Sequence, residues 1–123
     1  MSSTVKIKRA YEDADEQDGY RVLVDRLWPR GISRTVLHTD EWAKGLAPSP
    51  ALRKWFGHKP ERWEVFQTRY LAELKENEAV QEFVNTHKKH RVITLVYAAK
   101  DKAITHALVL QELLQKKFNK KST

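Results

Sequence analysis

Val92-Ile93-Thr94-Leu95-Val96-Tyr97 is the stretch on which the fold turns. It is apolar on both alternating sets of positions and rich in β-branched residues. That pattern predicts a strand covered on both faces rather than one with a wet side. Ala103, Ala107, Leu110, Leu114 and Phe118 then recur at helical spacing and predict a helix from about Lys102 to Phe118. A doubly buried strand feeding an amphipathic helix is an α/β arrangement.

Outward from this unit, Tyr20 to Trp28 reads as a second strand, with Val22-Leu23-Val24 again apolar on both faces. The two apolar runs are expected to be neighbours inside one sheet. Val5 to Tyr11 alternates apolar and basic residues and predicts a half-buried strand. Asp18-Gly19 marks a turn, and Pro29 and Gly31 close the second strand. A short extended segment is expected around Leu37 to Lys44. Ser49-Pro50 is a helix start, an N-cap followed by Pro at the first helical position, and Gly57 ends that helix. Pro60 opens a longer helix with Trp63, Phe66, Tyr70 and Leu74 on one stripe, read as core. Asn77 caps another, in which Val80, Phe83, Val84 and His87 share a face. The expected fold is α/β: a small, largely parallel sheet with helices on both sides. One domain spans residues 1–118, and 119–123 form a basic tail. Strand order stays open.

The chain has 123 residues with 41% hydrophobic and 32% charged, enough for one core and unlike a disordered segment. There is no Cys, which excludes disulfides, thiolate metal sites and cysteine nucleophiles. Met1-Ser2-Ser3-Thr4-Val5-Lys6 lacks the apolar region of a signal peptide, and no apolar run suffices to cross a bilayer. A cytoplasmic location without membrane contact is therefore expected. The net charge of +7 is unevenly spread, because Glu12, Asp13, Asp15, Glu16 and Asp18 are clustered in an otherwise basic chain. Such a field attracts phosphates, nucleic acid or other anions.

Ligands of open α/β sheets bind beyond the carboxyl ends of the strands. Two runs leave such ends: Asp25-Arg26-Leu27-Trp28-Pro29-Arg30-Gly31 and Tyr97-Ala98-Ala99-Lys100-Asp101, with His106 a turn further on. Arg26 and Arg30 present two guanidinium forks for a carboxylate or phosphate, and Trp28 offers a stacking face. Alternatively, Asp25 pairs with an arginine to close the strand end and Trp28 belongs to the core. Lys44 precedes the Ser49-Pro50 helix start, whose free N–H groups form a possible anion seat or an ordinary cap. Lys100 and Tyr97 complete the ligand-binding candidates. His106, Asp101 and Asp25 are the acid–base candidates, although Asp101 also suits a cap of the last helix. His87 and His90 are spaced i, i+3, but no carboxylate follows to complete a metal site, so no metal is expected. No Walker A, GxGxxG or GxSxG motif occurs, and no cofactor is assigned.

The runs RVLVDRLWPRGISR (21–34), WAKGLAPSPALRKWFGH (42–58), ERWEVFQTRYLAEL (61–74) and TLVYAAKD (94–101) resemble the YeaO-like family, a domain of unknown function. The resemblance runs from about residue 5 to 115. It implies one α/β domain and a shared surface made by those four runs, and it carries no reaction. Two readings follow. One is a small-molecule site for a phosphorylated or nucleotide-like anion at the strand ends, with or without catalysis. The other is a nucleic-acid-binding or regulatory module using the basic surface. They differ in salt response, which is steep for many phosphate contacts and shallower for a buried small-anion site.

Overall fold

A computed structural model describes residues 3–120. The strands are β1 (Thr4–Arg9), β2 (Tyr20–Leu23), β3 (Glu41–Trp42) and β4 (Val92–Tyr97). The helices are α1 (Arg34–Leu37), α2 (Pro50–Phe56), α3 (Trp63–Lys75), α4 (Glu78–His87) and α5 (His106–Asn119). All strand pairs are parallel, in the order β1-β4-β2-β3. The expected neighbours do pair: Val22 lies opposite Leu95 and Leu23 opposite Val96.

Alternation along the strands sorts two unequal faces. Val5, Val22, Val24, Ile93, Leu95 and Tyr97 point to a large core shared with α2, α3, α4 and α5. Phe66, Tyr70 and Leu74 of α3 and Ala107, Leu110 and Leu114 of α5 meet there. Leu23 and Val96 point the other way, into a smaller cluster with Ala10 and Leu37 of α1. The rest of that face is polar and is covered by the segment crossing from β1 to β2. Asp18, at the end of a 3-10 turn over Glu16–Asp18, sits above the sheet. Its carboxylate meets Lys8 at 3.1 Å and Arg21 at 2.6 Å, and its carbonyl accepts from Thr94 Oγ1 at 2.6 Å. Arg21 also donates to the carbonyls of Leu37 and His38, so its buried guanidinium is satisfied.

The outer edge of β1 is closed by side chains. Gln115 Oε1 accepts from Val5 N at 2.8 Å, while Gln111 Nε2 donates to Val5 O at 2.9 Å and Gln115 Nε2 to Ser3 O at 2.8 Å. Two glutamines of α5 thus supply what another strand would supply.

Several boundaries differ from expectation for local reasons. Ser33 caps a single helical turn, α1, that periodicity cannot register. The last helix starts at His106, capped by Thr105, rather than at Lys102. Asp101 instead accepts from Ala103 N at 2.8 Å and shapes the loop before it, so it is not the cap. The helix runs to Asn119, and residues 121–123 of the expected tail lie outside the described residues. Among the described residues no helix is long and apolar enough to cross a membrane.

Candidate functional site

The helix after β2 packs on the small face and the helix after β4 on the large one, so the chain turns opposite ways from these adjacent strands. The region beyond their carboxyl ends is where this topology places ligands. Asp25 lies in it. Its Oδ2 accepts from Ala98 N at 2.9 Å, which ties the loop after β2 to the loop after β4. Its backbone carbonyl accepts from Trp42 Nε1 at 2.8 Å, which ties in β3. His106 reaches back from α5, with Nε2 3.0 Å from Val24 O and 3.3 Å from Asp25 Oδ1. A carbonyl only accepts, which assigns the ring hydrogen to Nε2. Nε2 is then a donor and not a base. Asp25 Oδ1, 3.3 Å from the same nitrogen, is buried without a hydrogen-bond partner.

Four loops are laced together around this pair. Arg9 Nε donates to Ala99 O at 2.9 Å, and its guanidinium carbon lies 5.3 Å from the Tyr11 ring centroid. Tyr11 in turn donates to Arg30 O at 2.9 Å. Arg26, expected to turn its fork toward a ligand, points to the carbonyls of Ala47 and Pro48 at 3.3–3.4 Å. Bonds of that length are weak singly, but together they occupy the fork and hold the loop after β3.

The remaining candidates divide by exposure. Tyr97 is buried in the large core at 1% exposure, with its hydroxyl pushed above the usual range by burial. Trp28 is half-buried, donates to Ile32 O at 2.7 Å and meets the Trp42 ring edge-on at 5.3 Å. Arg34 lies over the Trp28 ring at 5.2 Å and Lys44 over the Trp42 ring at 4.0 Å. Arg30, Lys44 and Lys100 are exposed, on the loops leaving β2, β3 and β4. None of the three has a carboxylate within 4 Å among the described residues. The structure therefore brings Asp25 and His106 together and leaves Arg30, Lys44 and Lys100 exposed on the loops beyond the strands. It spends Arg26 on backbone and buries Tyr97.

The possible anion seat at Ser49 is already filled. Glu73 of α3 accepts from Ser49 N at 2.9 Å and from Ser49 Oγ at 2.7 Å, so the N-terminus of α2 has its own carboxylate.

One cluster was not foreseen. At the amino end of the sheet, Glu41 Oε1 accepts from the Tyr20 hydroxyl at 2.9 Å and lies 2.8 Å from His87 Nε2. The carboxylate that His87 and His90 lack in sequence thus arrives from β3. Burial, and then the bond to Glu41, push the Tyr20 hydroxyl up to about 12. His90 stacks on Tyr20 at 4.2 Å, and burial together with His87 and Lys89 pulls its imidazole below the ordinary value. Among the described residues no group of His, Asp or Glu is arranged to hold a metal ion. No local signal announces this cluster, because strand pairing alone brings Glu41 to Tyr20. A cavity of about 430 Å³ opens beside it, bordered by Gln17, Tyr20, Asp40, His90 and Arg91. A second, of about 300 Å³, lies over the polar face near Lys6, Lys8 and Lys102.

A family model described as the inactive DUF488-N3 subclade matches residues 4–123. The uncharacterised protein YeaO of Escherichia coli K12 is 44% identical over 111 residues, covering 90% of this chain and 96% of that one. An uncharacterised protein of Mycobacterium tuberculosis H37Rv is 44% identical over 110 residues, covering 89% of this chain and 92% of its own length. No solved structure matches the chain.

Proposed function

Since this chain belongs to the YeaO-like DUF488 family, in the subclade described as inactive, we propose that it binds a small phosphorylated or nucleotide-like anion without transforming it. The binding face in this reading is the carboxyl edge of the sheet. One observation carries it: Arg30, Lys44 and Lys100 stand there without a carboxylate partner among the described residues, while the nearby acids are engaged elsewhere. Asp25 is held inward by Ala98 N, with its other oxygen buried 3.3 Å from His106 Nε2, and Asp101 accepts from Ala103 N. Neither neutralises the cations, so an incoming phosphate or carboxylate would. The fixed Nε2 hydrogen of His106, bonded inward to Val24, favours binding over proton transfer.

The experiment is calorimetric titration of the full chain with inorganic phosphate, pyrophosphate and a nucleoside monophosphate, repeated on Arg30→Gln and Lys100→Gln. Each substitution is expected to weaken the tightest of these ligands about tenfold, the worth of one charge-assisted bond. Arg26→Lys is expected to lower the unfolding midpoint and leave affinity unchanged, since its fork holds the Ala47–Pro48 loop. Absence of binding by the wild type, or unchanged affinity in both glutamine variants, would refute the proposal.

A further inference from the structure

We infer that the exposed corner between α2 and α3 is a docking surface for single-stranded nucleic acid. At its centre is Trp55, half-buried on α2, whose ring carries two guanidiniums from α3 and the turn before it. Arg69 lies 4.5 Å and Arg62 5.1 Å from the ring centroid. Arg62 is further fixed by donating to the Trp55 carbonyl, so its plane is set before any partner arrives. Two like charges on one indole repel each other. Neither has a carboxylate within 4 Å among the described residues to offset this.

The surroundings extend the same chemistry. Residues 53–69 hold the cations Arg53, Lys54, Lys59, Arg62 and Arg69 against the acids Glu61 and Glu64, a surplus of three in seventeen residues. Val65, one helical turn from both Arg62 and Arg69, is 46% exposed and adds apolar surface to the same stretch. The indole is packed against the core and covered by the guanidiniums, so the plane it presents outward is that of exposed Arg69, on which an unpaired base can stack while the surrounding cations track a phosphate backbone. Duplex recognition asks for something else, a helix presented lengthwise to the major groove. Here α2 has only 7 residues and its Trp55 faces α3. The corner is distinct from the strand-end cations Arg30, Lys44 and Lys100, so it does not rest on the small-anion reading.

The test measures fluorescence anisotropy of a labelled oligothymidylate of about twelve nucleotides on the full chain. Affinity is followed against salt for the wild type, Arg62→Gln/Arg69→Gln and the charge-matched pair Lys88→Gln/Lys89→Gln, two exposed lysines outside both surfaces. The first pair is expected to lose affinity at least tenfold and to reduce the salt slope by about 1.4, two single-strand phosphate contacts. The second pair is expected to stay within about twofold of the wild type, apart from the shared loss of net charge. Arg69→Gln alone, an exposed position, must show part of the loss with an unchanged circular dichroism spectrum. Equal loss in both pairs would mean diffuse attraction, and no loss in the first pair would mean binding elsewhere; either would overturn the assignment. So would failure of the wild type to bind, preference for a duplex of equal length, or displacement of the oligonucleotide by polyglutamate at matched charge.

Discussion

Asp18 takes a bond from its own backbone neighbour Asp15, another from Lys8 and a third from Arg21, all beneath the segment that crosses β4. Burial pushes its carboxyl upward, but those donors outweigh it and hold the group below the ordinary range. A carboxyl depressed on folding stabilises the native state fully above its unfolded value of about 4, and that contribution disappears as pH falls through the lower native value. Asp18→Asn is therefore expected to cost about 3 kcal/mol near neutral pH, because Arg21 is left buried beside a neutral amide. The gap between variant and wild type should narrow below about pH 4. Urea unfolding at neutral and acid pH reads both, and a gap that widens in acid would contradict this account. Arg21 and Arg26 look alike in sequence, five residues apart beside apolar runs. One answers a carboxylate and two carbonyls, the other two carbonyls alone. Backbone acceptors leave no mark in a sequence, which is why the second arginine reads as a ligand fork until its surroundings are known.

Elements with a long period were legible. The apolar run of β4, the stripe of α3 and the face of α5 follow directly from side-chain spacing, as does the Ser49-Pro50 start of α2. Of the short elements, β3 at Glu41–Trp42 falls inside the extended segment expected around Leu37 to Lys44, whereas α1 is one turn and lies below any periodic signal. Strand order was equally hidden, because β1 and β4 pair across almost the whole chain. The Asp25–His106 encounter was half legible. Both residues were expected at strand ends, but their mutual distance depends on α5 starting four residues later than its pattern suggests. The turn into β2 yields a prediction of its own. Gly19 has φ +66°, and a Cβ there would lie 2.3 Å from Val92 O. Gly19→Ala combines a backbone conformation that costs about 1–3 kcal/mol with a contact that must push β2 from β4. Its thermal midpoint should fall well below that of Gly57→Ala, where the nearest atom is 3.7 Å away. Equal midpoints would mean that the close approach at Gly19 relaxes without cost.

At the scale of the molecule, the sheet has one thickly covered face, one polar face and two edges. Lys6 and Lys8 keep β1 charged on the polar side, and Gln111 and Gln115 satisfy its outward backbone. Gln111→Leu/Gln115→Leu leaves Val5 N–H, Val5 C=O and Ser3 C=O with no partner from α5. The variant is expected to stay folded but to self-associate with rising concentration, as an unpaired strand edge does. Light scattering against concentration checks this, and a strictly monomeric variant would show that water alone suffices at that edge. The same glutamines bear on how the protein is made. The ribosome delivers β1 first, yet the strand that receives it is synthesised after three-quarters of the chain, and the side chains that seal it come later still. At ordinary elongation rates the stretch from Tyr97 to Gln115 takes roughly a second or more, during which β1 is unguarded. The first strand translated is thus among the last to become safe, and a nascent chain stalled inside α5 would be a substrate for chaperones or for its neighbours on the same polysome.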